Sequence, residues 1–311
     1  MRKNFVLGAL IISCILFSGC NFSNSTSNSD TTCGSSTEVL SNENTEQISE
    51  FDITTATLEI SEATTEQSLT EATASVNEEP SLRRLLQTAF LPLGQTMYVW
   101  GGGWNEEDTA AGIEAVTIGV SPRWAEFAAT QDASYNFKDT YYQIHDGLDC
   151  SGYIGWLIYN IFPEKEEGYV MKAAKMAQTF SSYGWGSYTP SAYVVDWRAG
   201  DIMSMSGHVW MVLGECDDKS VLLIHSSPPG VRICGTKLQT DSEGASQAEQ
   251  FATQIMSTYY PDWYSRYPDC SVDYNYLTDS NQFRWNKDTF SDLEEIWNMN
   301  AVELVDFILN N

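Results

Sequence analysis

The chain has 311 residues and carries 42 Asp and Glu against 16 Lys and Arg, a formal net charge of −26. A balance this acidic excludes a nucleic-acid partner, because phosphate binding is driven by Lys and Arg. It also gives no electrostatic reason to dock on an anionic membrane surface, so any membrane attachment has to be covalent or apolar. Cys14, Cys20, Cys33, Cys150, Cys216, Cys234 and Cys270 form no CxxC pair and show no regular spacing. Neither a zinc site nor a disulfide framework follows from them, and no metal or cofactor is expected.

Arg2 and Lys3 precede an apolar run over residues 5–17, and Ser18-Gly19-Cys20 follows it. This predicts a secretory signal over residues 1–20, too short to span a bilayer as a stable helix. Its end resembles a bacterial lipobox, which implies lipidation of Cys20 and a chain anchored to the outer face of the cell membrane; cleavage to a freely secreted protein is the alternative. Residues 21–80 hold twelve acidic residues and no Lys or Arg among Ser, Thr and Asn. Such a segment cannot bury enough apolar surface to offset its ordering entropy, so a disordered tether is predicted.

The folded part is expected from residue 81 onward. Residues 81–90 read as a short helix with Leu82, Leu85, Leu86 and Ala89 on one face. An aromatic stretch then runs into Gly101-Gly102-Gly103, where the backbone has to turn tightly or be closely approached. Residues 104–148 read as an insertion, with some helix near residues 123–129 and a loop histidine, His145.

Ile154, Leu157, Ile158 and Ile161 recur at helical spacing and predict an amphipathic helix with one buried face. Asp149 suits its N-cap, which puts Cys150 in the first turn, where free N–H groups and the helix dipole favour thiolate. A lone cysteine is more often simply a small buried residue.

Residues 184–190 read as loop. Residues 208–213 and 220–225 are apolar and β-rich, and read as a hairpin. If Leu213 faces Ser220, His208 lies directly across from His225, and the two imidazoles share one side of the sheet. Residues 231–234 predict another strand and residues 243–259 a helix. Residues 260–285 read as loop, and Ser291 with Glu294 and Asn300 with Glu303 predict two capped terminal helices.

Cys150 at a helix start, His208 on a later strand and a polar third residue on the neighbouring strand make a nucleophile, a base and an orienting group. The backbone N–H of Cys150 is a natural oxyanion donor. The chain resembles the NlpC/p60 family of cysteine peptidases in Tyr98-Val99-Trp100-Gly101-Gly102, Asp149-Cys150-Ser151-Gly152, Gly200-Asp201 and Gly207-His208-Val209, in family order.

The resemblance implies an α+β, papain-like fold, with the catalytic helix packed on a small antiparallel sheet. It covers residues 81–235, and residues 236–311 are expected to extend the same domain. By resemblance, Cys150 is the nucleophile, His208 the base and His225 the orienting residue. Tyr98 approaches the substrate carbonyl, Asp149 and Ser151 bind the substrate's free amine, and no metal is involved. The implied activity is hydrolysis of peptidoglycan stem peptides between a γ-linked D-glutamyl residue and a diamino acid. Trp210 stands where the family often has Gly, so Trp210 and the insertion are expected to shape the substrate pocket. A CHAP-type amidase and a non-catalytic wall-binding module are the alternatives.

Overall fold

A computed structural model of the chain describes residues 79–239 and 244–310. The expected signal over residues 1–20, its lipidation site Cys20 and nearly all of the expected tether lie outside the described residues.

Helix α1 (Leu82–Phe90) begins where Ser81 accepts the Arg84 N–H, and its leucine face is buried. Helix α2 (Pro122–Ala129) lies inside the expected insertion, opened by Pro122 at its first turn. Helix α3 (Cys150–Ile161) carries the candidate nucleophile. Every residue of α3 except Tyr159 is buried, so the helix is covered on all sides rather than on one face as expected. It lies between α1, residues 113–116 and the sheet, which leaves it no solvent face.

The chain continues through α4 (Met176–Ser182), β1 (Gly186–Thr189), β2 (Ile202–Met205), β3 (His208–Glu215), β4 (Val221–Ser227) and β5 (Gly230–Thr236). Helix α5 (Gln247–Tyr259) starts at a capping box made by Ser246 and Glu249. Then follow α6 (Pro261–Arg266), β6 (Ser271–Val272), α7 (Asn275–Asp279), β7 (Asn281–Trp285) and α8 (Ala301–Asn310). One seven-stranded sheet runs β1-β7-β2-β3-β4-β5-β6. All pairs are antiparallel except β5 with β6, so the architecture is α+β with an antiparallel-dominated sheet.

Three expectations are corrected. Residues 184–190 and 260–285 are not loop: β1 pairs with β7, and β7 pairs also with β2. These strands have four and five residues and gain their stability from each other, so no local period announces them. Ser291 does not cap a helix. Asp292 instead accepts the Ile296 and Trp297 N–H groups, and Glu295 at φ 56° allows only a short 3-10 turn. The Asn300–Glu303 box does form and opens α8.

The sheet divides two cores. One face packs on α1, α3, α4 and α5 and buries Val209, Met211, Leu222 and Ile224; the other buries Met203, Trp210, Val212, Leu223 and Cys234. Position along β3 or β4 therefore decides which core a side chain enters.

Candidate active site

The start of α3 is fixed by contact between glycines. Asp149 accepts the Gly152 N–H at 2.7 Å, and the Asp149 N–H donates to the Gly102 carbonyl at 2.9 Å. A Cβ on Gly152 would lie 1.9 Å from that same carbonyl oxygen. Gly103, at φ 90°, brings its own backbone against the Gly152 Cα. The glycine triplet thus serves to seat the first turn of the cysteine helix against the chain that precedes the insertion.

Cys150 is 6% exposed, and its Sγ lies 3.9 Å from the Gly207 carbonyl oxygen. The N–H groups of Val209, Ser151 and Cys150 itself stabilise a thiolate there, but burial is the larger effect and, with the Asp149 charge, pushes the thiol up to about 12. The dipole argument from sequence is therefore overridden: desolvation of a charged sulfur outweighs the donors at the helix start. The sulfur meets strand β3 at the backbone on both sides of His208.

Met211 pairs with Ile224 and Val212 with Leu223; after an irregularity at Leu213, Gly214 pairs with Leu222. The register expected from sequence, with Leu213 facing Ser220, is therefore wrong by two residues. The bulge and a tight turn closed by Cys216 N–H to the Ser220 carbonyl at 2.8 Å account for the shift. An even shift keeps side chains on the same face. His208 and His225 consequently lie diagonally rather than directly opposite, and His208 Nε2 is 3.0 Å from His225 Nδ1. That bond occupies Nε2 of His208 and leaves its Nδ1 as the nitrogen able to take a proton. With Nδ1 bare, the Nε2–H of His208 donates to His225.

Burial pushes the His208 imidazole down to about 4. Burial, then the neighbouring His208 and Arg232, holds His225 well below the usual range. Both rings are neutral at neutral pH. His225 Nε2 is buried with no partner among the described residues.

Tyr98 is buried, with its ring edge-on to Phe137. Burial first, then Cys150 and Asp149, raises its phenol, so the hydroxyl stays protonated beside the thiol. Ser151 donates to Asp149 Oδ1 at 2.8 Å and accepts from Trp104 Nε1 at 3.0 Å. Asp149 and Ser151 are thus spent on the helix start and on each other, and are 8% and 5% exposed. Burial pushes the Asp149 carboxyl up to about 6 against the opposing N–H groups of Gly152, Ser151 and Gly101.

Trp210 does not shape the front of the site. It is fully buried, and its Nε1 donates to Ser280 Oγ at 3.1 Å. Its even position on β3, shared with His208, sends it into the second core, where Tyr276 contacts both rings. His145 pairs with Glu114.

Two residues without an expected role join the site. Tyr276 of α7 places its ring 5.4 Å from His208, 6.0 Å from His225 and 5.8 Å from Trp210, covering the imidazole pair. Trp104 ties the insertion to Ser151. Neither is marked by local pattern, since Tyr276 comes from a short helix and Trp104 from a loop. Among the described residues no cluster of His, Cys, Asp or Glu could hold a metal ion. Compared with protein-family models, with curated proteins and with solved structures, the chain matches none.

Proposed function

We propose that the chain is a cysteine peptidase of papain-like, NlpC/p60-like design that hydrolyses peptide bonds in peptidoglycan stem peptides, in the manner of γ-D-glutamyl endopeptidases. The observation that carries the reading is the His208–His225 hydrogen bond, together with the 3.9 Å approach of the Cys150 sulfur to the carbonyl of Gly207, the residue before β3. A histidine oriented by a neutral imidazole, on a strand whose entering backbone meets a cysteine at a helix start, supports the set that thiol acyl transfer needs.

The reaction follows from the neutral resting pair. Sγ attacks the scissile carbonyl carbon while Nδ1 of His208 takes the thiol proton. The carbonyl oxygen becomes an oxyanion, held by N–H groups at the α3 start and by the Tyr98 hydroxyl. As the C–N bond breaks, His208 returns its proton to the departing amine, and a thioester remains. Water then adds to the thioester with His208 as base, releasing a carboxylic acid and restoring the thiol. His225 holds the imidazole in the tautomer that keeps Nδ1 free. Lipidation at Cys20 would hold this chemistry on the outer face of the cell membrane, at the wall.

Purified muropeptides incubated with the protein, followed by mass analysis of the products, test the reading. Free γ-D-glutamyl stems are the expected products, and none with Cys150→Ala. Release of intact stems from the glycan would point to a CHAP-type amidase. Unimpaired digestion by Cys150→Ala would refute the mechanism.

A further inference from the structure

Two imidazoles joined by one hydrogen bond are chemically alike, so a group outside the pair has to decide which ring keeps an added proton. In the reaction above, Sγ gives its proton to His208 Nδ1, and the pair then carries one positive charge. If the Nε2 proton of His208 crossed the 3.0 Å bond to His225 Nδ1, the charge would move to His225 and His208 would be left neutral, with its remaining proton on Nδ1. A neutral imidazole is far too weak an acid to protonate the departing amine. The pair therefore needs an asymmetry that keeps the charge on His208.

Strand β5 supplies one. Arg232 pairs directly with His225 in the antiparallel ladder, so both side chains stand on one side of the sheet with Cβ atoms roughly 4.5–5.5 Å apart. Strand β4 lies between β3 and β5, so Arg232 flanks His225 on the side away from His208. Arg232 is 7% exposed, and no ion pair among the described residues engages it. Its Nη1 donates to the backbone carbonyl of Asp269, whose carboxylate accepts instead from the Ser271 N–H and hydroxyl. The Arg232 Nε is buried with no partner among the described residues, as is His225 Nε2. Burial keeps the neighbouring Cys150, Cys234 and Tyr276 protonated and neutral. Against its own burial, the Ser271 donors and then Arg232 hold the Asp269 carboxyl below the usual range, so it stays charged. Burial, His208 and Arg232 bear on His225, whereas burial alone bears on His208.

We propose that Arg232 is a positioning residue whose buried guanidinium, across the ladder from His225, confines the added proton of the histidine pair to His208. A like charge opposes a second one most strongly where solvent is excluded, and the guanidinium stands one strand nearer to His225 than to His208. A proton arriving at His208 Nδ1 is thus kept available for the departing amine. The consequence for turnover rests on the function proposed above; the location of the proton does not.

Nitrogen-15 NMR of the full chain labelled in its histidine rings reads the proton directly, without turnover. As the pH falls toward about 4, both nitrogens of His208 should become protonated while His225 keeps one bare nitrogen. Arg232→Gln retains an N–H donor for the Asp269 carbonyl but loses the charge, and there His225 should take up the proton; Arg232→Lys should behave as wild type. With muropeptides, Arg232→Gln should lower kcat about tenfold at unchanged KM, and Arg232→Lys should restore most of it. In a His225→Asn background, where the second ring is gone, Arg232→Gln should cost nothing further. Protonation of His225 before His208 in the wild type, an Arg232→Gln spectrum identical to wild type, or an equal kcat loss in the His225→Asn background would each overturn the proposal. Should Arg232→Gln not fold, the wild-type and Arg232→Lys spectra decide, and proton uptake by His225 in either overturns it. If the proton stays on His208 as expected while muropeptides remain intact, only the peptidase reading fails.

Discussion

Cys150 is the residue where sequence and structure disagree most about chemistry, and alkylation measures which argument wins. Burial moves its thiol from the ordinary 9.0 up to about 12. A shift of about three units reduces the thiolate fraction near neutrality about a thousandfold relative to a free thiol. With His208 pushed down to about 4, the imidazole is neutral over the same range and does not hold a thiolate as an ion pair. Labelling with iodoacetamide, read by mass spectrometry on the Cys150 peptide, separates this thiol from Cys216, Cys234 and Cys270. The rate is expected to rise about tenfold per pH unit between about pH 7 and about pH 10, with no plateau. His208→Gln should leave that slope unaltered. A plateau at or below about pH 8, lost in His208→Gln, would refute the burial argument and put a thiolate–imidazolium pair in its place.

Three further outcomes test separate links. His225→Asn should retain more stem cleavage than His208→Asn, because the Asn carbonyl can still accept from the His208 Nε2–H; equal losses in a turnover assay would remove His225 from its orienting role. Tyr276→Ala should open the histidine pair to water and lift His208 from about 4 toward the ordinary 6.5. Activity needs neutral His208, so the acid limb of the pH–rate profile should move upward, whereas Tyr276→Phe, which keeps the ring, should leave it in place. Gly152→Ala should destabilise the fold by about 1–3 kcal/mol in urea denaturation, because the new Cβ would lie 1.9 Å from the Gly102 oxygen. Helix propensity alone predicts a gain of about 1 kcal/mol at that position, so the sign decides.

The parts of the fold legible in the sequence are those whose signal is local. Asp149 before the cysteine helix and Asn300 with Glu303 act within one turn of the chain, and each forms the cap its spacing suggests. The hairpin was legible as a hairpin, but its register depended on the irregularity at Leu213. Gly214 follows that irregularity, and a Cβ there would lie 2.7 Å from the Ala301 Cα. A contact with α8, some ninety residues further along the chain, leaves no trace in the hairpin's own alternation. The same-face placement of the histidines did not depend on the exact register, because a shift of two preserves it.

The least legible part of the site is what the C-terminal residues contribute, and there the sheet topology supplies the reason. β7 is an interior strand between β1 and β2, so residues 281–285 complete the sheet from within. Arg284 on that strand pairs with Asp201 at 2.6 Å and with Asp196 at 3.0 Å, and Asp201 is 1% exposed. Without Arg284 a buried carboxylate at the entry to β2 would lack its cation, a strongly unfavourable arrangement. The Gly200-Asp201 motif, readable as a turn before a strand, is therefore neutralised by a residue more than eighty positions away. The same segment carries α7, which brings Tyr276 over the imidazoles, and Ser280, which holds the Trp210 indole. Local pattern identified the candidate nucleophile and the candidate base. Their dry, oriented environment is assembled by a strand inserted late in the chain.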